Sequence, residues 1–525
     1  MAAVTVLGGG ITGLSAAWYL AQRLPPTARI ALIEGSPRLG GWLRTDRRRA
    51  SGAEFLAEKG PRTLRAGDSR MASAVLELID DLDLRSDVVT TPKQSGAARN
   101  RYIYYGGELN CMPRGLGSLV TGLPPAVKCL PRGVWRDLTT PKNSPMDRSD
   151  ESIRSFVSRR FGEQVDDNLA SAVMHGIYAA DTAELSARTL LYPYWLADRL
   201  GANGVLRGLP RVARLSRARN AQFAVREAEE KLGAHRRRAQ DPAFWDAMDD
   251  ASMFSFRDGM QTLSDGLARR LAARPNVEIV TGQPATAAQT HAGGGVEVAL
   301  ASGRVIQTQH VINTLPLHSV RRLLGGAEPC PLLDETPYAS VAVANVAFGA
   351  RGVPPVDGFG YLVPRASAAS SRALGVAFDS CVLPAQDGDA AVSRLTVMLG
   401  GPRFAELFGS PATASTAALA DAALESLRNE LGIRAEPIDV DVTVQADCIP
   451  SYTVGYIDRL KAMHEWVGAQ LGGRMSVVGA AYGGPAVPQC ILNARDLVCH
   501  HLDLDALDRP QRVTGLEEII GGFEL

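Results

Sequence analysis

The sequence predicts an α/β fold that opens on a Rossmann-like dinucleotide-binding unit, and three observations predict it. An apolar run, Val4 to Leu7, leads directly into Gly8-Gly9-Gly10-Ile11-Thr12-Gly13. A second apolar run, Ala28 to Ile33, ends on an acid, Glu34. Near the other end of the chain, Met475 to Val487 repeats the order of strand, glycine-rich turn and helix.

In the first unit Val4 to Leu7 is a buried strand and Gly8 makes the tight turn. Gly10 lets the backbone approach a pyrophosphate, and Gly13 lets the helix from Ile11 to about Arg23 sit close to the sheet. The open N–H groups of that helix face the phosphates. Glu34, at the tip of the second strand, is placed to accept ribose hydroxyls. This fingerprint fits NAD or FAD. Arg38-Leu39-Gly40-Gly41-Trp42 follows directly, and Glu58-Lys59-Gly60-Pro61-Arg62-Thr63 comes soon after. A second backbone loop packed on the nucleotide suits the longer, extended FAD.

At 525 residues the chain is long enough for two or three domains. Lys plus Arg is 56 and Asp plus Glu is 56, so no net charge steers it to nucleic acid. The 7 cysteines are scattered without a C-x-x-C pair, which indicates neither a zinc site nor a disulfide framework. A reducing compartment is expected. No apolar run reaches the roughly 18 to 20 residues that span a bilayer. The fingerprint begins so near Met1 that no removable presequence is expected, and a soluble or peripheral protein is.

Further along, Ser69 to Leu84 has the apolar spacing of an amphipathic helix. Arg101 to Leu109 reads as a strand with a turn at Gly106-Gly107. Between Pro113 and Pro145 the prolines predict broken structure. Apolar Leu116, Leu119, Val120, Leu123, Val127, Leu130, Val134 and Trp135 mix there with Arg114, Lys128, Arg132, Arg136 and Lys142. Such a surface suits a membrane interface or an inter-domain face. Ser149 to Leu191 is helical. The charged stretch Ala221 to Asp250 reads as a solvated helix or flexible insert without function. Val277 to Val280 and His310 to Pro316 return the chain to the nucleotide sheet, and Ser340 to Ala350 is a buried strand.

These segments, with Gly176-Ile177-Tyr178-Ala179-Ala180-Asp181, the stretch GFGYLVP at 358–364, Cys448-Ile449-Pro450-Ser451-Tyr452 and GAAYGGPAV at 479–487, resemble the protoporphyrinogen oxidases of the flavin amine oxidase superfamily, nearest their eukaryotic, mitochondrial branch. The resemblance runs over nearly the whole chain. It implies a split architecture. The FAD-binding domain comprises 1–95, 255–325 and 470–525. A mixed-sheet substrate domain comprises 96–114 and 326–469. A helical, membrane-docking domain comprises 115–254.

It also implies FAD contacts at Gly8, Gly9, Gly10, Ile11, Thr12, Gly13, Glu34, Gly41, Trp42, Gly60, Pro61, Arg62, Thr63, Ala285, Ala480, Pro485, Ala486 and Val487. Arg101 corresponds to an anchor for a substrate propionate, with a charge-assisted bond worth roughly 1.5–3 kcal/mol. Gly176 corresponds to a pocket glycine. No metal and no catalytic acid or base is expected. The implied reaction is the oxygen-dependent, six-electron oxidation of protoporphyrinogen IX to protoporphyrin IX through FAD, with release of hydrogen peroxide, in haem synthesis. Implied surroundings are the mitochondrial inner membrane as a peripheral protein and handover of product to a ferrochelatase; a homodimer is compatible with them. Three departures stand out. Pro485 and Pro488 stand where relatives often carry other residues, and Pro485 is expected to be tolerated as a first helical residue. His175 stands where some relatives carry arginine. Asn493-Ala494 replaces a common Ser-Gly. The alternatives are another oxidase or desaturase of the superfamily, acting on an amine or carotenoid, and a flavin-free binding member of the fold.

Overall fold

The computed structural model describes residues 2–67, 69–114, 122–140, 149–200, 204–220, 224–325, 330–388 and 391–523. Its first sheet runs, in parallel, through Val277–Val280, Ile30–Ile33, Ala2–Leu7 and Val305–Asn313. The end of Val305–Asn313 also takes Met475–Val477 in parallel, while its beginning pairs antiparallel with Val296–Leu300, which pairs with Ala285–Thr290. Apolar side chains fill both faces, as a parallel sheet covered by helices requires. The helix Ile11–Arg23 covers one face with Leu14, Trp18 and Leu20 buried. The second strand starts at Ile30 rather than Ala28, because the Ala28 N–H closes a turn on the Pro25 carbonyl. The amphipathic helix spans Arg70–Asp81. Ser69 caps it by accepting from Ala72 N–H at 3.2 Å, and Asp83 at φ 56° ends it before Leu84.

The second sheet is mixed. Its order is Asp439–Pro450, Tyr338–Phe348, Ser393–Gly400, Ala373–Ala377, Gly360–Leu362, Tyr102–Tyr105 and Glu108–Cys111. Every pairing is antiparallel except Gly360–Leu362 with Tyr102–Tyr105. The hairpin Tyr102–Cys111 turns on Gly106 and Gly107, both at positive φ, as predicted. The helix Tyr456–Ala469, assigned from sequence to the substrate unit, packs against the nucleotide sheet instead: Tyr456, Ile457, Leu460 and Met463 join Leu7, Val311 and Val477 in one core. The strand Ala251–Phe256 runs across the anticipated division at 254/255 and links Leu64–Arg65 with Val88–Pro92.

Helices form a third layer around Ile153, Phe156, Trp195 and Leu196. Within it Arg160 is fully buried and bonds Asp137, which also caps the helix Val205–Asn220 by accepting from the N–H groups of Val205 and Leu206. The proline-rich stretch is more regular than its breakers predict. A helix spans Leu130–Thr139, and Pro131 sits in its first turn, where no backbone donor is needed. Val127 is buried, whereas Val134 and Trp135 are exposed, Trp135 to 69%. Leu116, Leu119, Val120 and Lys142 lie outside the described residues.

The charged stretch is corrected more deeply. It forms the helices Ala224–Gln240 and Pro242–Asp250, and the first is not merely solvated. Its Arg226 pairs with Asp496 and Glu518, and its Glu230 pairs with Arg70 and Arg495. No described helix is long and apolar enough to cross a membrane.

Candidate functional site

Three loops meet at the carboxyl end of the first sheet. At Gly8, φ is +103°, and a Cβ there would press on Thr314 Oγ1, which itself bonds the Leu7 carbonyl at 2.7 Å. A Cβ at Gly13 would collide with the Gly8 carbonyl. At Gly10, by contrast, the nearest atom to an added Cβ is the Gly41 Cα, 3.9 Å away. The second loop is fastened to the first by Gly40 N–H on the Gly9 carbonyl (2.8 Å) and by a bridge between Gly10 and Gly40. Arg38 holds that loop in shape by donating to the carbonyls of Leu39, Gly41 and Leu43. The third loop follows, since a Cβ at Gly60 would strike the Trp42 carbonyl. Trp42 is itself exposed.

Glu34 accepts from Gly9 N–H at 2.6 Å and from Ser36 N–H at 2.7 Å, one on each oxygen. The carboxylate is thereby held in place with further lone pairs to offer. Ala285 begins its strand beside this acid, just after Gln283, whose N–H reaches the Glu34 carbonyl. The helix Ile11–Arg23 has Gly10 at its N-cap and no side-chain cap, so its first N–H groups are available to an anion.

The late turn supplies a second uncapped N-terminus. The helix Val487–Asp496 has Ala486 as its N-cap. Pro488, not Pro485, lies in its first turn, because the Gly484 and Pro485 stretch stays outside the helix; the expectation for Pro485 is corrected. Ala480 starts a single helical turn, and its carbonyl accepts the Tyr452 hydroxyl. Asn493 lies so close to Gly483 that a side chain there would clash, which locks the turn to the helix.

The segment Glu58 to Arg62 joins the two sheets. Asn345 donates to the Glu58 carbonyl (3.0 Å) and Gln445 to that of Lys59 (2.8 Å), both from the second sheet. Lys59 is buried and pairs with Asp46 and Asp441. The Glu58 carboxylate accepts from Met260 N–H (2.7 Å) and from the Thr45 hydroxyl (2.8 Å); burial outweighs those bonds and pushes its pKa up to about 7. Arg62 is 8% exposed. It lies 3.7 Å from Asp379, and its three side-chain nitrogens have no hydrogen-bond partner among the described residues. Pro61 and Thr63 flank it, both half-buried.

The second sheet carries the other part of the site. Phe359 N–H bonds the Asn100 carbonyl at 3.0 Å, which sets the Arg101 guanidinium over the Phe359 ring at 4.5 Å. Three residues on, about 10 Å along the strand, Leu362 packs so tightly on Gly176 that a Cβ there would meet it at 2.5 Å. Val173 and Ile177 beside Gly176 are exposed apolar residues. His175 faces away, its Nδ1 3.2 Å from the Val363 carbonyl, and burial lowers its pKa. The geometry gives it no part in holding an anion. Thr314, Phe359 and Asp379 were not singled out by sequence reasoning, and Arg38 was named only as part of its glycine motif. Phe359 lies inside the GFGYLVP stretch, but its pairing with Arg101 is set by tertiary contact.

These residues fit an extended flavin dinucleotide. The approach at Gly10 is open, two helix N-termini lack side-chain caps, and a buried guanidinium at the seam between the sheets, 3.7 Å from Asp379, has no hydrogen-bond partner among the described residues.

Comparison with known proteins agrees. The family described as flavin containing amine oxidoreductase matches residues 11–496. The chain is 34% identical over 501 residues to the protoporphyrinogen oxidase of Schizosaccharomyces pombe, covering 93% of this chain and 96% of that one. It is 33% identical over 495 residues to that of Homo sapiens, covering 94% and 96%. Among solved structures, one from Exiguobacterium superposes with a TM-score of 0.71 at 22% identity, covering 95% of this chain and 98% of that one, which shows a shared fold.

Proposed function

The chain belongs to the flavin-containing amine oxidoreductases, at their protoporphyrinogen oxidase branch, and from this premise we propose that it oxidises protoporphyrinogen IX to protoporphyrin IX with dioxygen as acceptor. It is an FAD-dependent oxidoreductase. The observation that carries the substrate is Arg101. It is a half-buried cation on an aromatic shelf, with no acid partner among the described residues, at one end of a strand whose other end meets Gly176. A flat apolar ring with carboxylates at a single edge matches that order of cation, aromatic and aliphatic wall.

FAD, when bound, supplies the two-electron oxidation chemistry. Gly8 to Gly13 and Glu34 would hold its pyrophosphate and ribose. Gly41, Trp42, Gly60 to Thr63, Ala285, Ala480 and Pro485 to Val487 are the further residues that would contact it. The substrate loses six electrons and six protons in three steps, and each dioxygen takes up two of each to leave as hydrogen peroxide. Arg101 fixes the edge of the ring, and Leu362 and Gly176 set the slot. The chain's part is orientation and exclusion of water. No side chain is assigned as acid or base.

The same reading extends to a peripheral place at the mitochondrial inner membrane. Its support is the helix Leu130–Thr139, where exposed Val134 and Trp135 lie between exposed Arg132 and Arg136. The product's ring is apolar, so passing it to a ferrochelatase at the same membrane avoids its release into water.

The test uses purified, FAD-loaded protein under anaerobic conditions. Adding protoporphyrinogen IX should bleach the flavin absorbance, and admitting air should give porphyrin fluorescence and peroxide. Absence of both bleaching and porphyrin would overturn the assignment.

A further inference from the structure

Arg65 ends the short strand Leu64–Arg65 and pairs directly opposite Met253 of Ala251–Phe256. Residues directly opposite in an antiparallel pair send their side chains to the same face. Met253 is buried, in a small apolar cluster with Val89 and Ala97, and Phe359 packs at its margin. Phe359 is also the ring beneath Arg101. Arg65, opposite Met253, and Arg101, over Phe359, therefore both border one apolar island.

Their charges oppose each other. Burial, and after it the charge of Arg65, lower the pKa of Arg101. Among the described residues neither side chain pairs with a carboxylate. Two cations brought together over an apolar floor repel, and an anion placed between them turns that cost into attraction.

We propose that Arg65 is the second cation of a clamp with Arg101, each guanidinium taking one of the two carboxylates at the acidic edge of the substrate ring. Arg101, half-buried on Phe359, is the inner member and sets depth. Arg65, exposed at the rim, is the outer member and sets rotation of the ring in its plane. The ligand class is a flat macrocycle with two neighbouring carboxylates, and the clamp rests on the oxidase reading above. Arg65 binds and positions; it takes no part in electron or proton transfer.

The test compares wild type with Arg65→Gln and Arg65→Lys, as FAD-loaded enzymes, on protoporphyrinogen IX and on its uncharged dimethyl ester. Arg65→Gln should raise KM for the diacid about tenfold, as the loss of one charge-assisted contact does. KM for the diester and the FAD content should stay unchanged. Arg65→Lys, which keeps the charge but not the fork, should recover part of the loss. The salt dependence of kcat/KM on the diacid should weaken in Arg65→Gln. An unchanged KM for the diacid, or an equal rise for diacid and diester, overturns the clamp while leaving the oxidase reading intact. A wild-type enzyme that does not turn over the diacid overturns both.

Discussion

The Arg62 guanidinium stands 3.7 Å from the Asp379 carboxylate at the seam between the two sheets, with Nε, Nη1 and Nη2 buried and without hydrogen-bond partners among the described residues. A buried guanidinium that spends none of its five donors is costly unless a ligand completes it. Replacing Arg62 with Met, similar in length and apolar, removes the donors and keeps most of the packing. The apo protein should then melt near the wild-type temperature, while the dissociation constant for FAD rises about tenfold. Flavin-to-protein absorbance after gel filtration reports the loss. Full retention of FAD by this variant would show that Arg62 serves the seam alone.

Gly10 and Gly13 separate binding from folding. A Cβ at Gly13 meets the Gly8 carbonyl, so Gly13→Ala forces helix and turn apart and should cost more than about 3 kcal/mol. At Gly10 a Cβ meets only the Gly41 Cα at 3.9 Å. Gly10→Ala should therefore fold with an apo Tm close to wild type and yet hold FAD poorly, because the added methyl stands where a pyrophosphate approaches. Melting curves of both variants with and without FAD decide it. An FAD-induced rise in Tm that survives Gly10→Ala would place the pyrophosphate elsewhere.

Two buried groups set opposite pH dependences on the apo protein. His310 is fully buried, with Nε2 2.9 Å from the Ser476 hydroxyl, and burial holds its pKa down at about 3. The unfolded chain binds this proton first, so its contribution is present above about pH 6.5 and is lost as pH falls towards 3, at about 1.4 kcal/mol per unit at most. Glu58, held up at about 7, works the other way. Its contribution is complete below about pH 4.5 and is lost as pH rises through 7. Between about 4.5 and 6.5 the two partly cancel. Glu58→Gln should raise Tm at pH 8 relative to wild type more than at pH 5. Equal shifts at both values would mean that Glu58 stays ionised in the fold.

How much of this was legible in the sequence follows from how far each feature reaches along the chain. Gly8 to Gly13 with Glu34 is a local code: one turn, one helix start and one strand end, each set by neighbours within a few dozen residues. The hairpin Tyr102–Cys111 is equally local. Arg101 could be found as a residue, but not the Phe359 ring beneath it or the Arg65 charge beside it, because those arrive through sheet pairing of remote segments. Arg62 could be placed on a loop expected to meet the cofactor, but Asp379 could not be placed opposite it. The first turn at Leu130–Thr139 was hidden by counting Pro131 as a breaker, when its position in the helix makes it a starter.

The helix Ala224–Gln240 yields the sharpest contrast between local pattern and tertiary partner. Alternating charge along a helix normally marks a solvated face. Here Glu230 accepts from Arg495 at 2.6 Å and pairs with Arg70, while Arg226 joins Asp496 and Glu518, so the acids and bases of the insert answer those of Arg70–Asp81, Val487–Asp496 and Glu517–Gly521. The Glu230 side chain is 17% exposed, so water replaces its contacts poorly. Glu230→Gln should cost about 1–3 kcal/mol and lower Tm by a few degrees, because Arg495 and Arg70 are then under-compensated in a half-buried place. The control is Glu425→Gln. Glu425 faces Arg372 at 3.5 Å with both side chains more than half exposed, and a pair of that kind contributes less than about 1 kcal/mol. Urea unfolding of both variants reads the difference directly. If Glu230→Gln moves the midpoint no more than Glu425→Gln does, the insert is held only at its surface, and the helix Val487–Asp496 stands without its support.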